Sequence, residues 1–518
     1  MKIKIKNHLL IILCVILFLT FLDNTIVSVV LSNVQSTLDA GVQDLQWVVD
    51  AYMLVFAVFM LSGGTLGDIF GRKKIMMGGV ALFTLGSIGA ALSPSSGFLI
   101  ASRAIMGLGA AASEPGTLSM IRHIYTDRRE RSRALGVWAA VSGMALAFGP
   151  IIGGVIIGFS NWRGVFVFSA IFGAIALVAG IFTLPENSDP TGRKLDISGL
   201  IFWAVALATV IFALIFGENA GYGMWWIALL FGLSLISVII FIFVERSKKD
   251  PILPLSFFNK IQFSIANLVA FSANFGIFAV FFFVALYLQL IANFSGYQIA
   301  VAFISMTAAI VISAVFSGRW NAIHKTIWLM VSGCLLSGIG ILILESVISP
   351  NVGTATLAWV LSISGIGFGM CLVTMTSSVL NIVPIERSGM AASTVNTFRE
   401  LGGVFGVAIL GAIVNSHLTT KLIDQLKTFG LPSNFQSFVI YAITHGGNTP
   451  KGLSVTPAEL ASHGNIISKV TKAAYQAFSS GLAVSLDIAS SLLLLTGLIC
   501  VVMYLWRNHR FSDIKIKI

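Results

Sequence analysis

The sequence predicts an all-α membrane protein with fourteen transmembrane helices, and three observations support this prediction. First, 57% of the 518 residues are hydrophobic and only 10% are charged, whereas a soluble domain carries roughly 25% charged residues. Second, apolar runs of about 20 residues, each long enough to cross a bilayer as a helix, recur along the whole chain. Third, the charged residues are grouped between these runs.

Helices are the expected spanning form, because lipid offers no hydrogen-bond partners and a helix satisfies its own backbone groups. The short segments of alternating polarity that are typical of a β-barrel do not occur. The predicted spans are 9–31, 47–67, 75–92, 98–121, 134–156, 164–184, 197–217, 225–244, 263–289, 298–317, 327–344, 355–380, 389–416 and 481–505.

The net charge of +11 would suit a nucleic-acid partner, but Lys and Arg are also typical of the cytoplasmic loops of membrane proteins. Because the charges lie in the predicted loops, we expect no nucleic-acid partner. If the N-terminus is cytoplasmic, most of the 32 Lys and Arg residues fall on the inner side. This distribution predicts an even number of spans and both termini in the cytoplasm.

Faint internal repetition predicts the domain organisation. The segment 64–74 follows the second span, and the segment 317–325, with Asn321 in place of an acid, follows the tenth as a degenerate copy. Two pseudo-symmetric six-helix bundles with two inserted helices between them explain this spacing. The predicted units are 1–190, 191–250 and 251–518.

A long outer segment at about 417–480 lies between the last two spans. It mixes Pro, Gly and Ser with amphipathic stretches, which favours some helix within it. An ordered outer hairpin, a contact for a periplasmic partner and a loose loop are all compatible with this composition.

Ionisable residues inside the predicted spans are candidate functional residues, because a charge in the hydrocarbon is costly. Asp23 lies in the first span, where it can exchange a proton or pair with a cationic substrate, or serve as a structural acid. Arg103 and Glu114 lie on one stripe of span 4, about 16 Å apart, and we expect them to face a cavity. A structural ion pair is the alternative for Arg103, and a contact with a neighbouring helix is the alternative for Glu114.

Arg399 and Glu400 form a second intramembrane pair, in span 13. Sequence neighbours point about 100° apart on a helix, so we expect each to need its own partner. In span 9, Phe278, Phe281, Phe282 and Phe283 either line an aromatic cavity or pack and face lipid.

Two glycine-containing motifs indicate close helix contacts and a tight loop. Span 5 contains Gly143 and the run Gly149-Pro150-Ile-Ile-Gly153-Gly154, where glycine allows close helix packing and proline bends the helix. The loop after span 2 contains Gly64, Asp68, Gly71 and Arg72. There, Asp68 and Arg72 can form ion pairs that depend on conformation, although a simple basic turn has the same pattern.

Enzymatic chemistry is not expected from this sequence. It contains no Walker motif, no metal-ligand spacing and no Ser/His/Asp arrangement. We therefore expect no cofactor, no metal and no catalytic residue. The expected partners are a small-molecule substrate, protons and the lipid bilayer.

Together, these motifs resemble the major facilitator superfamily, and in particular its fourteen-helix drug:proton antiporter family. Residues 64–74 resemble the superfamily's signature loop, residues 103–107 its fourth-helix motif and residues 143–154 the fifth-helix motif that marks antiporters. The run Leu22-Asp23-Asn24-Thr25-Ile26-Val27 resembles the first-helix motif of the fourteen-helix family. The resemblance covers spans 1–13.

The resemblance implies a role for each motif. Asp23 would carry the proton or bind the cation, Arg103 would be its charge partner, and Asp68 would act as a gate. Gly149 and Pro150 would seal the antiporter helix, and Glu400 would match an acid found in helix 13. Glu114 stands where the family usually has an uncharged residue, and we hypothesise that it supplies a charge missing elsewhere.

The function that follows is proton-coupled export of small lipophilic or cationic compounds across a bacterial cytoplasmic membrane. The alternative within the same fold is a dedicated exporter of one endogenous metabolite, such as a siderophore or a peptide. A channel would need a continuous polar pore, and the polar residues of this chain are sparse and confined to a few helices.

Overall fold

The computed structural model describes residues 3–40, 42–188, 196–248, 251–253, 255–292, 294, 296–321, 326–428 and 464–515. All regular elements in these ranges are helical. The helices are α1 (Ile3–Leu38), α2 (Val42–Phe70), α3 (Arg72–Ala91), α4 (Ser96–Ile124), α5 (Arg128–Phe159), α6 (Arg163–Thr183), α7 (Ile197–Ala220), α8 (Trp225–Ser247), α9 (Ile261–Phe278), α10 (Ala285–Leu290), α11 (Gly296–Asn321), α12 (Thr326–Val347), α13 (Thr354–Ile382), α14 (Ser388–Thr428) and α15 (Gly464–Lys515).

The prediction of an all-α membrane protein is confirmed. Within the described ranges, thirteen helical segments are long and apolar enough to cross a membrane by length and composition. The 32-residue α5 adds a further long helix, so every predicted span corresponds to a helix. In the ninth span, α9 continues through a π-helical segment (Ala279–Val284) into α10. The Phe-rich sequence did not predict this π-helical segment.

Side chains at the helix starts explain several boundaries. Ser95 accepts a hydrogen bond from the backbone N–H of Phe98 at the start of α4. Asp127 and Asp196 accept the corresponding bonds at the starts of α5 and α7. These side chains satisfy N–H groups that the first turn of a helix leaves unpaired.

Contacts between helices divide the bundle into two halves. Helices α1 to α6 pack on one another, and so do α9 and α11 to α15. The halves meet where α5 packs on α11, and where α2 and α4 pack on α14. Helices α7 and α8 pack on each other, and α7 also contacts α2 and α14. The predicted domain boundaries at 190 and 250 stay predictions.

One end of the bundle, which we call the basic end, carries Arg72, Lys73 and Lys74 in the first turn of α3. The start of α1 also lies there, because Lys6 pairs with Glu130 at 2.5 Å near the start of α5. The predicted outer segment 417–480 is helical where the structure describes it, at the end of α14 and the start of α15. Residues 429–463 lie outside the described residues.

Candidate functional site

A buried ion pair joins α1 and α4 inside the first half. Arg103 donates a hydrogen bond from Nη1 to Oδ2 of Asp23, and both side chains are buried. The Nε of Arg103 donates to the Val48 carbonyl at 2.8 Å, and its guanidinium lies 4.5 Å from the centre of the Tyr52 ring. Helix α2 thus orients the cation that neutralises Asp23.

A second buried cluster crosses between the two halves. Arg399 on α14 donates a hydrogen bond to Glu114 on α4, and its Nε lies 3.4 Å from Oε1 of Glu400. The relative exposures of Glu114, Arg399 and Glu400 are 0%, 0% and 2%. Two carboxylates facing one guanidinium carry an excess negative charge unless one of them holds a proton. We call these three residues the interface triad.

Aromatic side chains from the first half surround the guanidinium of Arg399. Its central carbon lies 4.5 Å from the Phe21 ring centre and 5.5 Å from that of Trp138. The indole of Trp138 is held by a 3.0 Å hydrogen bond to Thr117 Oγ1, and Thr117 in turn donates to the Glu114 carbonyl at 2.7 Å. These contacts fix the orientation of the indole around the charged centre.

The two clusters lie close to each other. On α1, Phe21 lies against the Arg399 guanidinium of the second cluster, two residues before Asp23 of the first. Buried polar atoms without a hydrogen-bond partner in the described part of the chain are frequent here. They are Asp23 Oδ1, Glu114 Oε2, the amide groups of Asn24 and Asn396, and Arg399 Nη1. Unpaired buried groups are rare in folded proteins, and a functional site is one established reason for their presence.

One expectation from the sequence was wrong. Arg399 and Glu400 do not each have a separate partner, because the long arginine side chain reaches both Glu114 and the neighbouring Glu400 carboxylate. Arg103 and Glu114 each form an ion pair with a side chain on another helix. Their functional roles stay predictions.

At the basic end, the signature loop holds the start of α14. Asp68 accepts hydrogen bonds from the backbone N–H groups of Gly389 and Met390, both at 3.0 Å. A carboxylate at a helix N-terminus is favoured by the helix dipole. Arg72 pairs with Asp68 at 2.8 Å and donates to the Ile385 carbonyl at 2.8 Å. The predicted pair thus connects the two halves.

Glycines shape this connection. A Cβ atom on Gly64 would lie 1.7 Å from Ser393 Oγ on α14, so only glycine allows α2 and α14 to approach this closely. Gly71 has a φ of 111°, which favours glycine, and it precedes α3.

Two further arginines of the first half form hydrogen bonds with the C-terminal end of α13. Arg122 donates to the Val383 carbonyl, and Arg131 donates to Asn381 Oδ1 at 2.6 Å. Near them, Ser119 Oγ lies 2.9 Å from Ser388 Oγ. Sequence reasoning counted these arginines only as loop charges. Their basic character was visible, but their partners, more than 200 positions away, were not.

In the described part of the degenerate copy, residues 317–321, no equivalent charge pair occurs. Asn321, at the end of α11, donates to Ser377 Oγ at 2.8 Å, and Ser132 on α5 donates to the Gly318 carbonyl at 2.6 Å. This second connection between the halves is neutral, so the two sides of the basic end differ in charge.

Within the antiporter motif of α5, Gly149 makes a close contact inside its own half and Gly143 makes one across the interface. A Cβ on Gly149 would lie 1.9 Å from Thr25 Oγ1 of α1, and one on Gly143 would lie 2.6 Å from Ile310 of α11. Gly153 is buried and Gly154 is exposed. Pro150 lies within the continuous α5 helix.

The phenylalanines of the ninth span pack rather than gather round one cavity. Phe281 stacks on Phe303 with ring centres 4.9 Å apart, and Phe278 lies over Gly403. Phe283 is buried, whereas Phe282 is 50% exposed. The packing alternative therefore describes these residues.

Comparison with known proteins agrees with this architecture. The family model of the Major Facilitator Superfamily matches residues 13–407. The methylenomycin A resistance protein of Bacillus subtilis is 33% identical over 410 residues, which cover 79% of this chain and 88% of that protein. The multidrug resistance protein Stp of Mycobacterium tuberculosis is 28% identical, over 84% of this chain and 80% of its own length.

Solved structures share the same fold. The human organic anion transporter MFSD10 superposes with a TM-score of 0.63, at 14% identity, over 96% of this chain and 99% of that chain. The proton:xylose symporter XylE superposes with a TM-score of 0.60, at 13% identity, over 96% and 95% of the two chains. With its membrane-spanning helices, its inter-half contacts and these similarities, the chain belongs to the major facilitator superfamily.

Proposed function

We propose that this protein is a proton-coupled antiporter that exports small lipophilic or cationic compounds, such as drugs, antiseptics and dyes. It works by alternating access in a bacterial cytoplasmic membrane, with both termini in the cytoplasm. The units 1–190 and 251–518 move relative to each other, and the basic end is the cytoplasmic end.

The interface triad is the observation that carries this proposal. It buries an excess carboxylate at the contact between the two halves, with α4 contributing Glu114 and α14 contributing Arg399 and Glu400. Arg399 neutralises Glu114 while the halves are in contact, and Glu114 loses this counterion when the halves separate. Such a group must then bind a proton or a substrate cation, which couples their movements.

Asp23 and Arg103 form the second part of the proposed coupling site. Both belong to the first half, so their pair survives separation of the halves. We assign to Asp23 the exchange of a proton or cation, and to Arg103 the neutralisation of Asp23 between these events.

Asp68, Arg72 and the glycines Gly64 and Gly71 form the proposed cytoplasmic gate. In this conformation Gly64 and Asp68 contact α14, and Arg72 donates to the Ile385 carbonyl just before α14. We assign to these contacts the closure of the basic end. We assign to Gly143, Gly149, Pro150 and Gly153 the close helix packing that prevents a leak along α5, whereas Gly154 is exposed, with no neighbouring atom within 4 Å of a Cβ, and has no packing role.

The direction of transport is supported by the names of the relatives. Several are named as resistance proteins, and one is the tetracenomycin C resistance and export protein of Streptomyces glaucescens, which is 28% identical over 79% of this chain and 76% of its own length. Resistance by transport requires export.

A dedicated exporter is the second candidate function. The methylenomycin A and tetracenomycin C proteins are named for single compounds, whereas Stp is named for many. The breadth of the exported set separates the two candidates. Resistance to many unrelated compounds after expression supports a multidrug exporter, and resistance to none of them supports a dedicated one.

The test is proton-gradient-driven dye movement in everted membrane vesicles. Wild-type protein is compared with Asp23→Asn, using a panel of cationic and neutral lipophilic dyes. We expect dye uptake that needs the gradient, stops with an uncoupler and is lost in Asp23→Asn. Uptake that persists with the uncoupler contradicts proton coupling. Unchanged uptake in Asp23→Asn contradicts the role of Asp23.

A further inference from the structure

We propose that Phe21, Glu114 and Trp138 form a binding site for the organic cation of the substrate, and that Arg399 occupies this site whenever the basic end is closed. This inference rests on the proposed export function. It adds a location for the cation and an internal competitor that expels it.

The residues around the Arg399 guanidinium form a cage suited to organic cations. Two aromatic rings lie 4.5 Å and 5.5 Å from its central carbon, and a carboxylate accepts its hydrogen bond. Aromatic faces attract cations through the quadrupole of the ring, and this attraction strengthens where water is excluded. A carboxylate with aromatic walls is the chemistry that recognises ammonium, phosphonium and guanidinium groups.

The cage is built in advance of ligand binding. Phe21 is 3% exposed, and Glu114 and Trp138 are both 0% exposed. The hydrogen bonds of Thr117 hold the Trp138 indole against the helix that carries Glu114. These side chains lose little freedom when a ligand enters, which favours tight binding.

Arg399 does not use the full binding capacity of the cage. Glu114 Oε2 has no hydrogen-bond partner in the described part of the chain, and neither has Arg399 Nη1. Arg399 therefore forms fewer hydrogen bonds here than it would in a site that matched all its donors. A cation that cannot form hydrogen bonds gives up correspondingly little binding energy when it replaces Arg399. Permanently charged onium ions fit this description.

The cage and its present occupant belong to different halves. Phe21, Glu114 and Trp138 lie on α1, α4 and α5, whereas Arg399 lies on α14 beside Glu400. Separation of the halves at the basic end withdraws the guanidinium and exposes an aromatic cage with an uncompensated carboxylate. A substrate cation enters there, and return of Arg399 on closure displaces it.

The contrast with Arg103 supports this assignment. Arg103 also lies against an aromatic ring and a carboxylate, those of Tyr52 and Asp23, but all three residues belong to the first half. Movement of the halves does not remove that guanidinium from its partners. Among the buried arginines that the structure describes, only Arg399 lies against aromatic rings and a carboxylate of the opposite half.

The test measures equilibrium binding of radiolabelled tetraphenylphosphonium to the purified full-length protein in detergent. We expect Glu114→Gln to weaken binding at least about tenfold, and Trp138→Leu to weaken it about three- to thirtyfold. Arg399→Gln is expected to tighten binding, because it removes the competitor. A purely structural role of Arg399 would not produce this gain.

Two controls keep the result interpretable. Asp487→Asn removes an exposed carboxylate on α15 and should bind the probe like the wild type. Trp138→Phe keeps an aromatic wall and should retain most of the binding, so a loss in Trp138→Leu but not in Trp138→Phe assigns the effect to the aromatic ring.

The outcomes separate this inference from the proposed function. If Glu114→Gln binds tetraphenylphosphonium as tightly as the wild type does, the inference is overturned. It is also overturned if Arg399→Gln binds the probe no more tightly than the wild type. A wild type that exports neutral dyes but binds no phosphonium also overturns the inference alone. A wild type that moves no compound in a gradient-dependent way overturns the proposed function instead.

Discussion

Arg399 of α14 donates a hydrogen bond to Glu114 of α4, and this buried contact joins the two halves of the molecule. The Arg103–Asp23 pair is equally buried but lies within one half. The proposed movement of the halves would therefore leave the Arg103–Asp23 pair intact and separate Arg399 from Glu114.

Crosslinking the basic end should stop transport. Ser119 and Ser388 lie on opposite halves with their Oγ atoms 2.9 Å apart. We expect the double variant Ser119→Cys/Ser388→Cys, with the four native cysteines replaced, to lose dye efflux on oxidation and regain it on reduction, because alternating access requires this end to open. Ser119→Cys alone is the control. Full efflux by the oxidised, crosslinked protein would rule out opening at this end.

A side chain on Gly64 should open the basic end. A Cβ there would lie 1.7 Å from Ser393 Oγ and 2.3 Å from the Gly389 carbonyl oxygen, so Gly64→Val forces α2 away from α14. We expect a cysteine at position 388 to react several-fold faster with a soluble maleimide in this background. Gly78→Val is the matched control, since no neighbouring atom would lie within 4 Å of a Cβ at that position. Equal rates of maleimide labelling at position 388 in the Gly64→Val protein, the Gly78→Val protein and the protein with neither change would contradict a closed basic end.

Removing Arg122 should weaken the same gate by a different route. Arg122 donates to the carbonyl of Val383, and loss of a partner for a buried carbonyl costs about 1–3 kcal/mol. Because this contact exists only between closed halves, Arg122→Leu should shift the equilibrium towards the open basic end. The labelling assay at position 388 measures this shift. Arg128→Leu, which removes an exposed arginine nearby, should leave the labelling rate unchanged.

Neutralising Asp23 alone should destabilise the protein. Asp23→Asn leaves the Arg103 guanidinium buried without a counterion, and breaking a buried pair in this way costs about 3–5 kcal/mol. The double variant Asp23→Asn/Arg103→Gln removes both charges and should recover most of the lost melting temperature in detergent. Neither variant should transport. A double variant that melts below Asp23→Asn would show that the pair is not the source of the instability.

The helices and the candidate charged residues were predictable from the sequence, because each leaves a local signal. Apolar runs of spanning length mark the helices, and an acid such as Asp23 inside such a run marks a costly charge. The π-helical segment at Ala279–Val284 was not predictable, since no proline or other local signal marks it. The segment contacts α14 and α15, and such contacts between helices leave no local signal in the sequence.

The pairings could not be predicted for a related reason. Helical periodicity relates residues on one helix, but Glu114 and Arg399 are 285 positions apart. Arg399 and Glu400 were expected to have separate partners because only their helical directions were considered. One guanidinium contacts both carboxylates only because α4 brings Glu114 within reach of Arg399 on α14.

Proton counter-movement in sealed proteoliposomes is the decisive measurement for antiport. The purified protein is reconstituted with a trapped fluorescent pH indicator, and an outward gradient of a cationic dye is imposed without any initial pH difference. We predict that dye leaving the liposomes drives protons inward in the wild type, and that Glu400→Gln loses this coupling. Dye movement without proton movement, or with protons moving in the same direction, would contradict proton antiport.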